Sequence, residues 1–113
     1  MKKARVRNVS SKKNLGEFEL CDSFFSRFRG LMFRKKPVKL LFVFPFTARH
    51  AIHSLFVFFP FTAVFLDERK RVVDALDVEP FSLYAAPRAP ARYALELPVS
   101  EKPPARKGDR IEW

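Results

Sequence analysis

Two short aromatic words stand close together in the middle of this chain: LFVFPFTA at residues 41–48 and LFVFFPFTA at 55–63, identical but for one added Phe. Aromatic and β-branched runs suit the pleated, buried surface of a strand, and a proline near the end of each word removes a ladder donor. The pair therefore predicts two core strands with similar exits. The added residue reverses the inside–outside phase after Phe58, which predicts a bulge there. No longer period supports a repeat architecture. The stretch from Ile52 to Leu66 lacks Asp, Glu, Lys and Arg. It is shorter than the roughly 20 residues a membrane helix needs, and it contains His53 and Pro60, so it reads as buried strands rather than a transmembrane segment.

The rest of the chain supplies further short strands. Arg5 to Asn8 fits an edge strand, and Glu17-Phe18-Glu19-Leu20 alternates with the period of two of a half-buried strand. Residues 63–67 and 71–78 read as a hairpin joined by Glu68-Arg69-Lys70. Pro80, Pro87 and Pro90 mark a loop. Arg92 to Leu97 alternates again, with Tyr93, Leu95 and Leu97 on one face and Arg92, Ala94 and Glu96 on the other. Lys107-Gly108-Asp109 turns the chain into a last strand ending at Trp113. One helix is expected: Ser23 is its N-cap, Phe24, Phe25, Phe28, Leu31 and Met32 form its apolar face, and Gly30 relaxes its last turn. Phe28 and Leu31 are expected to be buried, with Arg27 and Arg29 pointing away. Seven short strands and one short helix predict a mainly β, single-domain fold, a β-sandwich or barrel-like structure.

Composition agrees. At 113 residues and 48% hydrophobic content the chain has material for one core, and 14 Phe against 3 Gly make that core aromatic. Cys21 is the only cysteine, which rules out an intramolecular disulfide and four-thiolate zinc sites and suits a reducing, cytoplasmic location. The basic start resembles a signal-peptide n-region, but no apolar run of the required length follows before Gly16, so the mature chain is expected to begin here. Gln is absent and charged residues reach 30%, a bias also found in proteins that work hot.

Charge is uneven. Residues 1–50 hold 13 Lys/Arg against 3 Asp/Glu, whereas residues 51–113 hold 9 of each, so the net +10 lies in the first half. A basic extension over residues 1–14 and the cluster at Arg34–Lys39 predict one polyanion-binding face of Lys12, Lys13, Arg34, Lys35 and Lys36, with Asp74, Asp77 and Glu79 elsewhere.

The run from Ser26 through Arg27, Gly30, Leu31, Met32 and Phe33 to Arg34, followed in order by Leu41–Pro45, Phe65-Leu66-Asp67, Arg71-Val72-Val73, Pro90–Glu96 and Gly108-Asp109, resembles domain of unknown function 192, also called uncharacterised protein family 0127. The resemblance covers about residues 18–112; "RGLMFR" and "PARYALEL" are its specific parts. It implies a compact, mainly β, sandwich-like fold in small bacterial and archaeal proteins without an established activity. One departure stands out: where many members carry a polar stretch reading roughly Phe-Trp-Met-Lys-Asn-Thr, this chain has Ile52-His53-Ser54-Leu55-Phe56-Val57, and Thr62 stands in the place of an aspartate. The polar positions that remain, Arg27, Arg34, Asp67, Glu96 and Asp109, are the candidate pocket.

Catalytic motifs are sparse. His50 and His53 are three apart, a spacing that suits a metal pair on a helix but points to opposite faces of a strand, and no metal or other cofactor is expected. Cys21 reads as a small buried side chain rather than a nucleophile. The nucleophile elbow, the phosphate loop and the dinucleotide fingerprint are all missing. No catalytic residue is assigned. Three readings stay open: a binding or interaction module for an unspecified protein or small ligand, non-sequence-specific RNA or DNA binding through the basic half, and an enzyme of unspecified class. Oligomeric state is open as well.

Overall fold

The computed structural model describes residues 2–36, 38–54, 56–82 and 84–113, with Phe24 and Phe25 as backbone only. The elements, in chain order, are β1 (Lys3–Asn8), β2 (Lys13–Cys21), α1 (Phe24–Arg29), β3 (Leu40–Ala48), β4 (Phe61–Leu66), β5 (Val72–Val78), β6 (Ala91–Pro98) and β7 (Ile111–Glu112). The seven strands form one sheet in the order β5-β4-β6-β3-β2-β1-β7. All described neighbours are antiparallel except β2 and β3, which run parallel and therefore need a crossover. Helix α1 and the segment after it provide that crossover.

The sheet curls into a half-barrel whose two edges touch. Arg71, at the start of β5, bridges Arg110, at the start of β7. Around that bridge Val72 N donates to the Asp109 carbonyl at 2.9 Å and Ile111 N to the Lys70 carbonyl at 2.9 Å. The curl explains why there are two apolar clusters. One draws on every strand, with Val6, Phe18, Leu41, Val64, Val72, Leu95 and Ile111, and fills the concave side. The other lies on the convex side of the central strands, where Leu40, Phe42, Phe44, Ala63, Phe65 and Ala94 are covered by Leu31, Ile52 and Val57 from outside the sheet. β6 thus buries both of its faces.

The helix is held as its sequence suggests. Ser23 caps it, accepting from Ser26 N, while the Ser26 hydroxyl accepts from Ser23 N to complete a capping box. The helix is only six residues long, however, and its apolar face is not all buried. Leu31 is buried as expected, but Phe28 is 55% exposed, because the chain turns away at Gly30 before the stripe can dock along its length. The placing of Phe24 and Phe25 on the apolar face concerns side chains outside the described set. Arg27 does not simply face water: its guanidinium donates to the carbonyls of Asp22 and Val43.

The two aromatic words fold differently. The first is β3, which continues through Pro45 rather than stopping there; its pairing with β6 is interrupted between Val43 and Ala48, so the missing proline N–H falls where no ladder partner is required. The second is not a strand over 56–60, and only Phe61–Ala63 enter β4. Leu55 lies outside the described residues. Val57 is buried while Phe56 and Phe58 are exposed, and both of these pack their rings against Phe81. The bulge expected after Phe58 has no strand to sit in. The basic segment 1–14, read from sequence as an extension, instead supplies β1 and the first residues of β2, paired as an antiparallel hairpin. Among the described residues no helix is long and apolar enough to cross a membrane.

Candidate functional site

Sheet register places the site. Glu19 on β2 pairs with Leu40 on β3, Leu40 pairs with Glu96 on β6, and Glu96 pairs with Ala63 on β4, so these four share the convex face. One step along, Cys21, Phe42, Ala94 and Phe65 form the adjacent row. The short side chains of Ala63 and Ala94 leave room beside the Glu96 carboxyl. Gly30 closes over it from the end of α1 with a φ of +44°. A Cβ there would stand 3.2 Å from Phe42 Cζ and 3.9 Å from Glu96 Oε1, so the close approach and the positive φ both call for glycine.

Between this face, α1 and the connection from β3 to β4 lies a cavity of about 320 Å³. Its walls are aromatic, with Phe42, Phe44 and Phe46 from β3 and Phe28 from the helix, and Glu96 lies among them. His50 and His53 complete the rim. His50 stacks on Phe44 at 4.1 Å between ring centroids, and its Nε2 donates to the Phe46 carbonyl at 2.7 Å. His53 Nε2 donates to the Phe28 carbonyl at 3.2 Å. The loop bearing His53 is anchored by buried Ser54, whose hydroxyl donates to the Glu79 carbonyl and accepts from Ser82 N, and by the bridge between Ile52 and Ala85. Ile52 and His53, at the start of the segment where the chain departs from the pattern it resembles, therefore form part of the cavity wall.

Glu96 is the unusual group. It is 3% exposed, and burial raises its carboxyl to about 8. Among the described residues none donates a hydrogen bond to that carboxyl. Two guanidiniums on the adjoining segments are already committed. Arg27 holds backbone carbonyls, and Arg34 pairs with Glu19 at 2.9 Å and donates to the Gly30 carbonyl at 3.2 Å. Cys21 is pushed up to about 12, by burial first and then by the negative field of Glu96, Glu19 and Asp22, and is therefore a thiol rather than a thiolate at neutral pH.

Of the five polar positions read as a pocket, Arg27 and Glu96 line this cavity and Arg34 braces its edge. Asp67 and Asp109 lie elsewhere, at the touching edges of the sheet. Asp67 Oδ1 accepts from Arg69 N and Arg71 N in the β4–β5 turn. Asp109 accepts from Asn8 Nδ2 and Arg106 N, and the first of these bonds is the main reason its carboxyl is held below its usual value. Thr62 donates to Asp77 across the β4–β5 pair. Of the basic residues grouped from sequence, Lys12 and Lys13 lie at the β1–β2 turn, whereas Arg34 pairs beside the other end of β2, about 20 Å away at the usual strand rise. Lys35 and Lys36 are exposed in the crossover. A denser basic group escapes the sequence pattern. Arg5, Arg7, Arg69, Lys70 and Arg110 line a groove of about 490 Å³ along the sheet seam, with Trp113 beneath Lys70.

Residues 6–113 match the family model for domain of unknown function 192, described as "Uncharacterized ACR". The chain belongs to this family. It is 38% identical to a UPF0127 protein of Pyrococcus horikoshii over 93% of this chain and 96% of that one. It is likewise 38% identical to one of Pyrococcus furiosus over 94% and 95%. Both relatives come from archaeal thermophiles. Among solved structures, a protein of Sinorhizobium meliloti described as a putative transcription regulator superposes with a TM-score of 0.88 at 25% identity, covering 98% of this chain and 93% of that one. A protein of unknown function from Novosphingobium aromaticivorans gives a TM-score of 0.75 at 19% identity, covering 96% and 82%, and shows the shared fold.

Proposed function

We propose that this chain is a binding module for a small ligand, and that the ligand enters the aromatic cavity beneath α1. The observation that supports this most is Glu96, a buried carboxyl with no described hydrogen-bond partner at a cavity of ligand size. No fully buried side-chain oxygen or nitrogen among the described residues lacks a partner, so the unpaired carboxyl oxygens open onto the cavity, where a bound donor would meet them. Known ligand sites have the same plan, apolar walls and a few converging polar groups. Cys21, the thiol nearest this face, is pushed up by burial and held protonated, which favours binding over covalent catalysis through it. A reducing cytoplasm remains the natural setting for a chain with one buried cysteine. The test is a set of small aromatic amines, amides and acids screened by backbone amide NMR shifts. At least one class should move the signals of Phe42, Phe44, His50 and Glu96 and leave those of Arg5 and Arg110 in place. No movement at the cavity with any class would overturn the reading.

A second reading is polyanion binding, favoured by the seam groove rather than by Lys12, Lys13, Lys35 and Lys36. Five cations converge there beside one aromatic ring, an arrangement that suits phosphates with a stacked base. The description of the Sinorhizobium protein as a putative transcription regulator is in keeping with it. Titration with single-stranded RNA and duplex DNA at two salt concentrations tests it. Serine at Arg5, Arg7 and Arg110 should flatten the slope of log affinity against log salt by about 0.7–0.9 for every phosphate that is no longer neutralised. Serine at Lys12, Lys13, Lys35 and Lys36 should leave it nearly unchanged. Absence of binding at low salt would end this reading.

A further inference from the structure

We propose that the ligand of the aromatic cavity carries a cationic nitrogen, an ammonium, amidinium or guanidinium group, seated against the Glu96 carboxyl and enclosed by aromatic rings. The inference rests on the cavity being a ligand site and names the chemical class that site selects.

Three observations converge on a cation. First, among the described residues the carboxyl has no hydrogen-bond partner, while two of the neighbouring cations are occupied: Arg34 is held by Glu19 and by the Gly30 carbonyl, and Arg27 by the Asp22 and Val43 carbonyls. The remaining charged groups around the cavity are Arg29 at its exposed edge and the rim histidines His50 and His53, each of which already donates from Nε2 to a backbone carbonyl. Second, once Glu96 is ionised the field beside it is negative: Glu96, Glu19 and Asp22 then act together on Cys21, opposed by Arg34. β4 contributes the uncharged Ala63 on this face, so nothing from that side offsets it. Third, the walls suit a cation. Phe42 and Phe44 are buried beside the carboxyl and Phe28 and Phe46 stand exposed at the mouth of a space of about 320 Å³, and a cation over an aromatic face is attracted to it. An anion would meet the opposite conditions at the inner wall, a carboxyl and ring quadrupoles, with Arg29 only at the exposed edge.

A proton is coupled to the event. Burial makes Glu96 hold its proton up to about pH 8. When a cation enters, the carboxyl O–H gives its proton to solvent, and the resulting carboxylate pairs with the ligand. One positive charge is bound and one proton is released. Apparent affinity should therefore rise by up to tenfold per unit as pH increases toward about 8, then level off.

The experiment uses the whole chain and three probes of nearly equal shape: benzylammonium, benzyl alcohol and benzoate. Titrations at pH 6, 7 and 8 are followed by calorimetry in buffers of different ionisation enthalpy and by amide shifts at Phe42, Phe44 and His50. The expected result is that benzylammonium binds at least tenfold more tightly than benzyl alcohol at pH 8, weakens toward pH 6 and releases close to one proton per ligand there. Glu96→Gln, which keeps the shape of the side chain, should remove both the preference and the proton release while benzyl alcohol still binds. The wild-type pH series decides the matter even if that variant fails to fold. Equal or tighter binding of benzyl alcohol or benzoate at the same amides would overturn the cation assignment and leave the cavity a ligand site. Failure of all three probes to move those amides would overturn both.

Discussion

The two faces of β6 are both buried, yet they are built for different purposes. On the concave side Tyr93 and Leu95 meet apolar side chains from every other part of the curled sheet, and the buried polar group of β4 on that face, Thr62, is paired with Asp77. On the convex side Ala91 and Ala94 are small, Glu96 is a carboxyl, and the cover comes from a six-residue helix and loops. The concave face holds the fold together at high density. The convex face gives up packing for a cavity onto which the Glu96 carboxyl opens, which is the usual trade where a site must stay open.

Measurement can set these two faces apart. The biggest change should be a pH dependence that belongs to the convex face alone. Glu96 ionises near 4.5 when unfolded and near 8 when folded, so between these values the unfolded chain has lost a proton that the folded one keeps. Stability should thus be highest at the acid side of this window and fall as pH rises through it, by up to about 5 kcal/mol. Asp109, whose carboxyl is lowered, acts in the opposite sense but only at more acid pH. Urea unfolding at pH 5, 6.5 and 8.5 should show the fall in the wild type and a much flatter profile in Glu96→Gln; parallel profiles would mean that the carboxyl is solvated after all.

The concave face should answer to volume and not to pH. Leu95→Ala leaves a cavity in the barrel interior and should cost about 2–5 kcal/mol at every pH tested. A loss that tracked pH would show that the two faces are not independent. Phe28→Ala should matter least. Because that ring is 55% exposed, its removal should change stability by less than about 1 kcal/mol while weakening any ligand of the cavity. A loss of core size would restore the docked helix that the sequence pattern suggests.

Much of the fold is legible in the sequence because strand periodicity is local. Glu17–Leu20 and Arg92–Leu97 alternate strictly, and β2 and β6 cover them. The β4–β5 hairpin follows from its charged turn in the same way. The aromatic words show the limit. Nearly the same residues make a strand in one place and a loop in another, because strand formation depends on a neighbour to pair with, and 56–60 has none. Charge misleads in a similar manner. Lys12 and Arg34 both fall in the basic first half of the chain but lie toward opposite ends of β2, while Arg5, Arg69 and Arg110 come together only when the sheet edges touch. Glu96 is visible as one polar residue in an alternating strand, and alternation cannot say whether the polar face meets water or a helix. The faint signal is Gly30, a glycine set into an apolar stripe, which marks the point where the backbone comes down over the carboxyl.

The meeting of the sheet edges also bears on how the protein is made. Asn8 donates to Asp109 at 2.9 Å across 101 positions of sequence, and β1 pairs with β7 at Arg7 and Asn8. A ribosome adds roughly 5–20 residues per second, so β1 and β2 wait several seconds for the partner that seals them. During that interval the hairpin's outer edge is open to other strands. Arg5 and Arg7, which later line the seam groove, give the waiting edge a repulsive charge of the kind that keeps unpaired strands from joining a neighbour.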